Sequence, residues 1–307
     1  MANSNSSKAV IYYALFANLF IAGMKLFVAF ITGSTAMMAE SIHSLADSFN
    51  QVFLLIGIKK GERKADELHP FGFSGELYFW SFIVALILFT AGALFSIYEG
   101  VQRLQHPEKV EKIEYAFIVL GLSFIAEGLA FYKANKKINL ERKGQPVISY
   151  LKKTKKSELL VVFLEDFAAL MGLSVAILAL LLQHYTGILI FDGIASILIG
   201  FILAGVAWFL GNETRSLLIG ESANPDLIYR INAIFKNEEN IVRVLHLRSL
   251  QLGPEDILLA AKIEFDHRLT TREISNLINA MESEIRQVFP SVRKIYIEPD
   301  VYKDNYN

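Results

Sequence analysis

The chain has 307 residues, of which 53% are hydrophobic and 20% charged, with a mean hydropathy of +0.38 and a formal net charge of -1. That apolar fraction exceeds the usual share for a soluble protein of this length, and the near-zero charge gives no basis for a nucleic-acid partner. There is no cysteine. Disulfides and thiolate metal sites are therefore excluded, and His, Asp and Glu remain as ligands.

In chain order, residues 1–9 form a short polar tail. The apolar run after it is too long for a signal-peptide core and reads as a first membrane span. Crossing a bilayer takes about 20 mainly apolar residues. Six stretches qualify: Val10–Thr32, Ala36–Ile58, Leu77–Tyr98, Ile113–Tyr132, Leu159–Leu182 and Ile188–Leu210. The second-to-third linker carries Lys59, Lys60, Arg63 and Lys64. The fourth-to-fifth carries Lys133, Lys136, Lys137, Arg142, Lys143, Lys152, Lys153, Lys155 and Lys156. The linker Gly33–Thr35 and the one around His184–Gly187 have no Lys or Arg. The positive-inside rule then places both termini in the cytoplasm of a multi-pass protein, in a cell inner or plasma membrane. The basic fourth-to-fifth loop reads first as a topology signal in the lipid bilayer, with binding of anionic lipid head groups as the alternative.

The expected division is a tail at 1–9, a six-helix transmembrane domain at 10–212 and a cytosolic domain at 213–307. In the last part, Leu227–Asn237 has helical spacing, and Val242–Gln251 and Ile257–Phe265 alternate as strands. Thr271–Phe289 is a helix with Thr271 as its cap, and Val292–Ile297 is a third strand. The order α-β-β-α-β describes a small ferredoxin-like α/β unit. It has no phosphate loop and no nucleophile motif, so dimerisation or sensing is its natural role.

Ionisable residues at membrane depth are costly and face a bundle interior or a water cavity. In AESIHSLADSFNQ, His43 and Asp47 lie four apart on one helix face, which suits two ligands of a borderline cation. Glu40 stands one turn away, either orienting the imidazole or sitting in an outer vestibule. In LVVFLEDFAALMG, Glu165 and Asp166 are adjacent and point about 100° apart, so they do not ligate on equal terms. Glu127, with Ser123 one turn earlier, is a lone carboxylate suited to packing, relay or ligation. Asp192, at the start of the sixth span, caps its helix or stays hydrated. His106, His184 and His267 stand outside any cluster. No HExxH, GxSxG or Walker string is present, so the chain does not read as an enzyme or as its own ATPase.

The strings GSTAMMAESIHSLADSFNQ, DELHPFGFSGE and FDGIASILIGF resemble those of the cation diffusion facilitator family, along nearly the whole chain. LEDxAA resembles its zinc transporter nine-like branch. The resemblance implies a homodimeric divalent-cation antiporter that exchanges metal for protons and holds no tight cofactor. It also implies that His43 and Asp47 form half of the metal site. The other half departs from the common pattern, since Val162 stands where a second His is usual. That leaves Asp166, with Glu165 as the fourth ligand. A more oxygen-rich set admits manganese, iron or cobalt as well as zinc. In the loop, Asp66 and His69 match an accessory zinc site whose remaining ligand position is Phe73. In the tail, His246 and Glu298 match regulatory positions, but Lys262 and Tyr296 stand between them and a lysine repels a cation. The competing reading is a non-transporting scaffold or metal sensor that acts through its tail.

Overall fold

The computed structural model describes residues 18–142 and 144–302, except for the side chain of Lys152. The polar tail, the start of the first span and Lys143 lie outside these residues. The chain divides into two compact units.

The first unit comprises residues up to Gly57, Phe79–Lys152 and Glu158–Thr214, and it is helical. Helix α1 is Asn18–Thr32, α2 is Thr35–Gly61 and α3 is Glu76–Ile87. A π-helical stretch, Leu88–Leu94, runs from α3 directly into α4, Phe95–Gln105. Helix α5 is Ile113–Glu141, α6 is Val147–Lys153, α7 is Ser157–Thr186 and α8 is Ile190–Ile219. Glu76–Gln105, Ile113–Glu141, Ser157–Thr186 and Ile190–Ile219 are long and apolar enough to cross a membrane. Helix α2 has 27 residues but is not among these four. The residues that lower its hydropathy are Glu40, His43, Asp47, Asn50 and three serines, most of them buried. Phe30, Ile125 and Trp208 are more than three-fifths exposed, the signature of an apolar surface that meets lipid. The protein is an integral membrane protein.

Several helices run past the ends expected from hydropathy. Helix α5 continues to Glu141, so Lys133, Lys136 and Lys137 are helical and not in a linker. Helix α8 continues from Leu210 to Ile219. Hydropathy marks where the apolar run stops, whereas a helix continues until its backbone is capped.

Helices α4 and α8 pack backbone to backbone. A Cβ on Gly100 would lie 2.6 Å from Ile197 Cγ1 and 2.7 Å from Gly193 O, and one on Gly200 would lie 2.6 Å from Ile97 Cγ1. Ser196 Oγ donates across the contact to Ser96 O at 2.7 Å. Small residues with one interhelical hydrogen bond are the usual means of joining helices in lipid. The π-helical stretch lies at the same contact, where Gly92 faces the side chain of Leu203. Such stretches, rare in proteins, concentrate at functional positions.

The second unit collects Ile58–Tyr78, Lys153–Ser157 and Arg215–Asn307. It contains α9, Pro225–Asn237; β1, Ile241–Gly253; β2, Asp256–Phe265; α10, Thr271–Val288; and β3, Val292–Pro299. The α-β-β-α-β order is the one expected. Strand β2 is central, antiparallel to β1 and parallel to β3. Ile231 and Phe235 of α9, Met281 and Ile285 of α10, and Leu259 and Ile263 of β2 form its core. The cap of α10 is Thr270, not Thr271. Thr270 Oγ1 accepts from Glu273 N, and the Glu273 side chain accepts from Thr270 N, a reciprocal capping box. The loop before α3 belongs to this unit. Ser74 Oγ donates to Asp256 Oδ2 at 2.8 Å, and Lys294 Nζ donates to the same carboxylate at 2.6 and 2.7 Å.

Gly100→Val should force α4 away from α8, because backbone atoms cannot yield as a flexible side chain can. The expected cost is about 1–3 kcal/mol, read as a lower thermal midpoint in detergent.

Candidate metal-transport site

Three helices supply the acids around one small cavity in the first unit. Asp47 comes from α2, Glu127 from α5, and Glu165 and Asp166 from α7. All four line a cavity of about 40 Å³, together with Asn18 and Ile21 of α1, Ser44, Gln51 and Val162. That volume exceeds the space one water needs and suits a single small ion. The helical offset between neighbours gives Glu165 and Asp166 different surroundings. Glu165 is 5% exposed, and its Oε1 accepts from Asn50 Nδ2 at 2.5 Å. Asp166 is less buried, and its Oδ2 has no hydrogen-bond partner.

His43 is fully buried, and neither ring nitrogen has a hydrogen-bond partner. Its Nδ1 lies 3.5 Å from Asp47 Oδ1, close enough for charge interaction but without a hydrogen bond. His43 does not line the cavity. Among the described residues, no three His, Asp or Glu side chains converge closely enough to hold a metal ion. The structure thus brings Asp47, Glu127, Glu165 and Asp166 together and leaves His43 beside them. An unpartnered buried imidazole and unpartnered carboxylate oxygens are groups whose desolvation nothing yet offsets, which is the chemistry of a cation site.

Glu40 does not line the cavity. It pairs with Lys25 of α1, which hydropathy reading passed over because one lysine hardly lowers the average of an apolar helix. Asn50, which holds Glu165, was missed for a similar reason: an amide carries no charge to draw attention.

Asp192 is neither hydrated nor the cap of its own helix. It is fully buried and serves α2 instead. Its carboxylate accepts from Ser34 Oγ at 2.5 Å, Thr35 N at 2.7 Å, Thr35 Oγ1 at 2.9 Å and Ala36 N at 3.2 Å. It thereby satisfies the orphan N–H groups and the positive dipole end of α2. Arg103 Nε also donates to it at 3.2 Å, and the Arg103 guanidinium bonds Gly33 O and Glu108 Oε2.

The outlying candidates stay apart from this site. Asp66 Oδ1 accepts from His69 N at 2.7 Å and lies 3.1 Å from His69 Nδ1, on an exposed turn. The His69 backbone N–H is the main reason the Asp66 carboxyl sits below its usual range. Phe73 packs against His69 with the rings tilted and centroids 4.4 Å apart, and it cannot ligate. His246 and Glu298 line one cleft on the sheet with Lys262 and Tyr296. Lys262 Nζ is 3.1 Å from Glu298 and 3.2 Å from Asp300, so a lysine stands where a cation would bind.

Residues 11–219 match the model described as the cation efflux transmembrane domain. The chain belongs to the cation efflux family. This family member is 32% identical over 268 residues to the Xenopus laevis proton-coupled zinc antiporter SLC30A9, mitochondrial, covering 86% of this chain and 48% of that one. It is 30% identical over 272 residues to Arabidopsis thaliana metal tolerance protein C4, covering 88% of this chain and 60% of that one. With the manganese efflux system protein MneP of Bacillus subtilis it shares 25% identity over 299 residues, 96% of each chain. The chain spans about half the length of the curated vertebrate relatives it matches. The resemblance drawn from the motifs of α2 and α8 is borne out.

Asp192→Ala should leave buried Arg103 with only the exposed Glu108 as counter-charge and α2 uncapped. The expected loss is about 3–5 kcal/mol, seen as early unfolding in detergent while Glu108→Ala changes little.

Proposed function

We propose that this protein moves a divalent metal cation out of the cytoplasm by alternating access, in exchange for protons. The observation that supports this most is the small cavity within the helical unit, lined by four carboxylates from three helices. So many carboxylates in an apolar bundle need compensation, either by a bound cation or by protons. One site that accepts either, in turn, is an exchanger.

The metal is substrate here. Asp47 and Asp166 are its principal ligands, because each has a carboxylate oxygen without a hydrogen-bond partner. Glu165, steadied by Asn50, is the fourth ligand, and Glu127 is a further carboxylate at the cavity wall. His43 shares the α2 face with Asp47 and closes the set when the ligands converge. Ligands must shed protons to bind metal, so binding releases protons on one side and metal release takes them up on the other. Rocking of helices then exposes the site to each side. Zinc is the leading substrate, and the carboxylate-rich set also suits manganese, iron or cobalt. The relatives are named for zinc in one case and manganese in another. The reading assigns the chain no covalent chemistry. It places both termini in the cytoplasm on the distribution of basic residues, in a cell inner or plasma membrane. It assigns the residues from 213 onward to a cytosolic domain that pairs with a second copy. Asp66, His69, His246 and Glu298 take no part in transport.

Reconstituted into liposomes with an internal pH dye, the wild-type chain should couple Zn²⁺ or Mn²⁺ movement to proton flux. Asp47→Ala and Asp166→Ala should each lower that flux at least tenfold, as expected when a ligand is lost. Intact flux in both variants would refute the site.

A further inference from the structure

A buried lysine stands beside the cavity without lining it. Lys25 lies on the same face of α1 as Asn18 and Ile21, which do line it, one turn further along. Lys25 is 0% exposed. Its ammonium donates to Ser44 Oγ at 2.6 Å and reaches Glu40 Oε2 at 3.4 Å. Glu40 is also 0% exposed. Ser44 is a cavity residue, and neither Lys25 nor Glu40 is. The positive charge is therefore one hydroxyl away from the cavity, with its counter-charge behind it. Glu40 is fixed from the other side as well. It packs against Gly172 of α7, where any Cβ would run into its carboxylate.

A charge pair that merely joins helices can be replaced by apolar side chains of similar size without loss. An apolar pair cannot reproduce the field that a unit charge exerts on a nearby cavity of low dielectric. A protonated lysine cannot ligate a metal, so its effect on a dication there is repulsion. Transport requires binding strong enough to load and weak enough to release. Four carboxylates alone favour the first requirement at the expense of the second.

We propose that Lys25 sets the metal affinity of the transport cavity: its fixed charge, brought to the cavity edge by Ser44 and braced by Glu40, opposes the bound dication and permits its release. This rests on the metal-transport reading above.

The test uses the full chain, with Zn²⁺ binding measured by calorimetry in detergent and Zn²⁺ transport measured in liposomes. Lys25→Met, similar in length and uncharged, should bind Zn²⁺ about tenfold tighter or more. It should lower both the half-saturating concentration and the maximal rate. Glu40→Gln leaves the lysine charge unopposed and should bind Zn²⁺ severalfold more weakly. The double variant should return towards wild type, and Lys25→Arg should keep wild-type affinity. Shifts of opposite sign in the two single variants are the mark of a charge effect. A purely structural pair shifts both in the same direction or neither, and either result overturns the proposal. Should Lys25→Met fail to fold, Glu40→Gln decides alone, and unchanged or tighter binding overturns the proposal. Asp47→Ala and Asp166→Ala run in parallel. If both still bind and transport Zn²⁺ like wild type, the transport reading has failed and not the assignment of Lys25.

Discussion

Every charge inside the helical unit has to find its compensation within the protein, because the bilayer core supplies no water. This one constraint accounts for most of the pairings described. Lys25 meets Glu40, Asn50 holds Glu165, and Arg103 meets Asp192. Among the described residues, both His43 ring nitrogens and one oxygen each of Asp47 and Asp166 have no hydrogen-bond partner, as do Glu40 Oε1, Asn50 Oδ1 and Gln183 Oε1. Unpartnered acceptors and an unpartnered imidazole beside a small cavity are groups that a cation or protons would compensate.

Two kinds of contact hold the bundle in a form that can carry such a site. At one end of α2, the Asp192 carboxylate fills the backbone donors of the helix and is itself neutralised by Arg103. Between α4 and α8, glycines bring backbones together and a serine bridges them. The first contact is electrostatic and the second is close packing, the two interactions that survive when the surroundings are as apolar as the side chains. Helix α2 ties these demands together. It carries His43 and Asp47, receives the Asp192 cap at its start, and ends within the second unit.

The second unit is more than a terminal domain. The loop before α3 joins it through Ser74 and the Asp256–Lys294 pair, and Tyr78 OH donates to Lys155 O within it. Residues at the ends of membrane helices are thus built into the same compact body as the sheet.

The sequence by itself determined the four strongly apolar spans, the α-β-β-α-β order and the family. Apolar length, strand alternation and the string around His43 and Asp47 are local properties, and each is read from a short window. It also singled out the acids that line the cavity, because a carboxylate in an apolar run is conspicuous. Helix ends, the Thr270 cap and the partners of buried charges were not legible in the same way. Asp192 serves a helix 157 residues away in sequence from its own position, and Lys25 answers a glutamate from another helix. Which of two adjacent acids is held and which is free depends on Asn50, 115 residues from Glu165. Those outcomes follow from which faces meet when helices pack, and only the tertiary structure decides that.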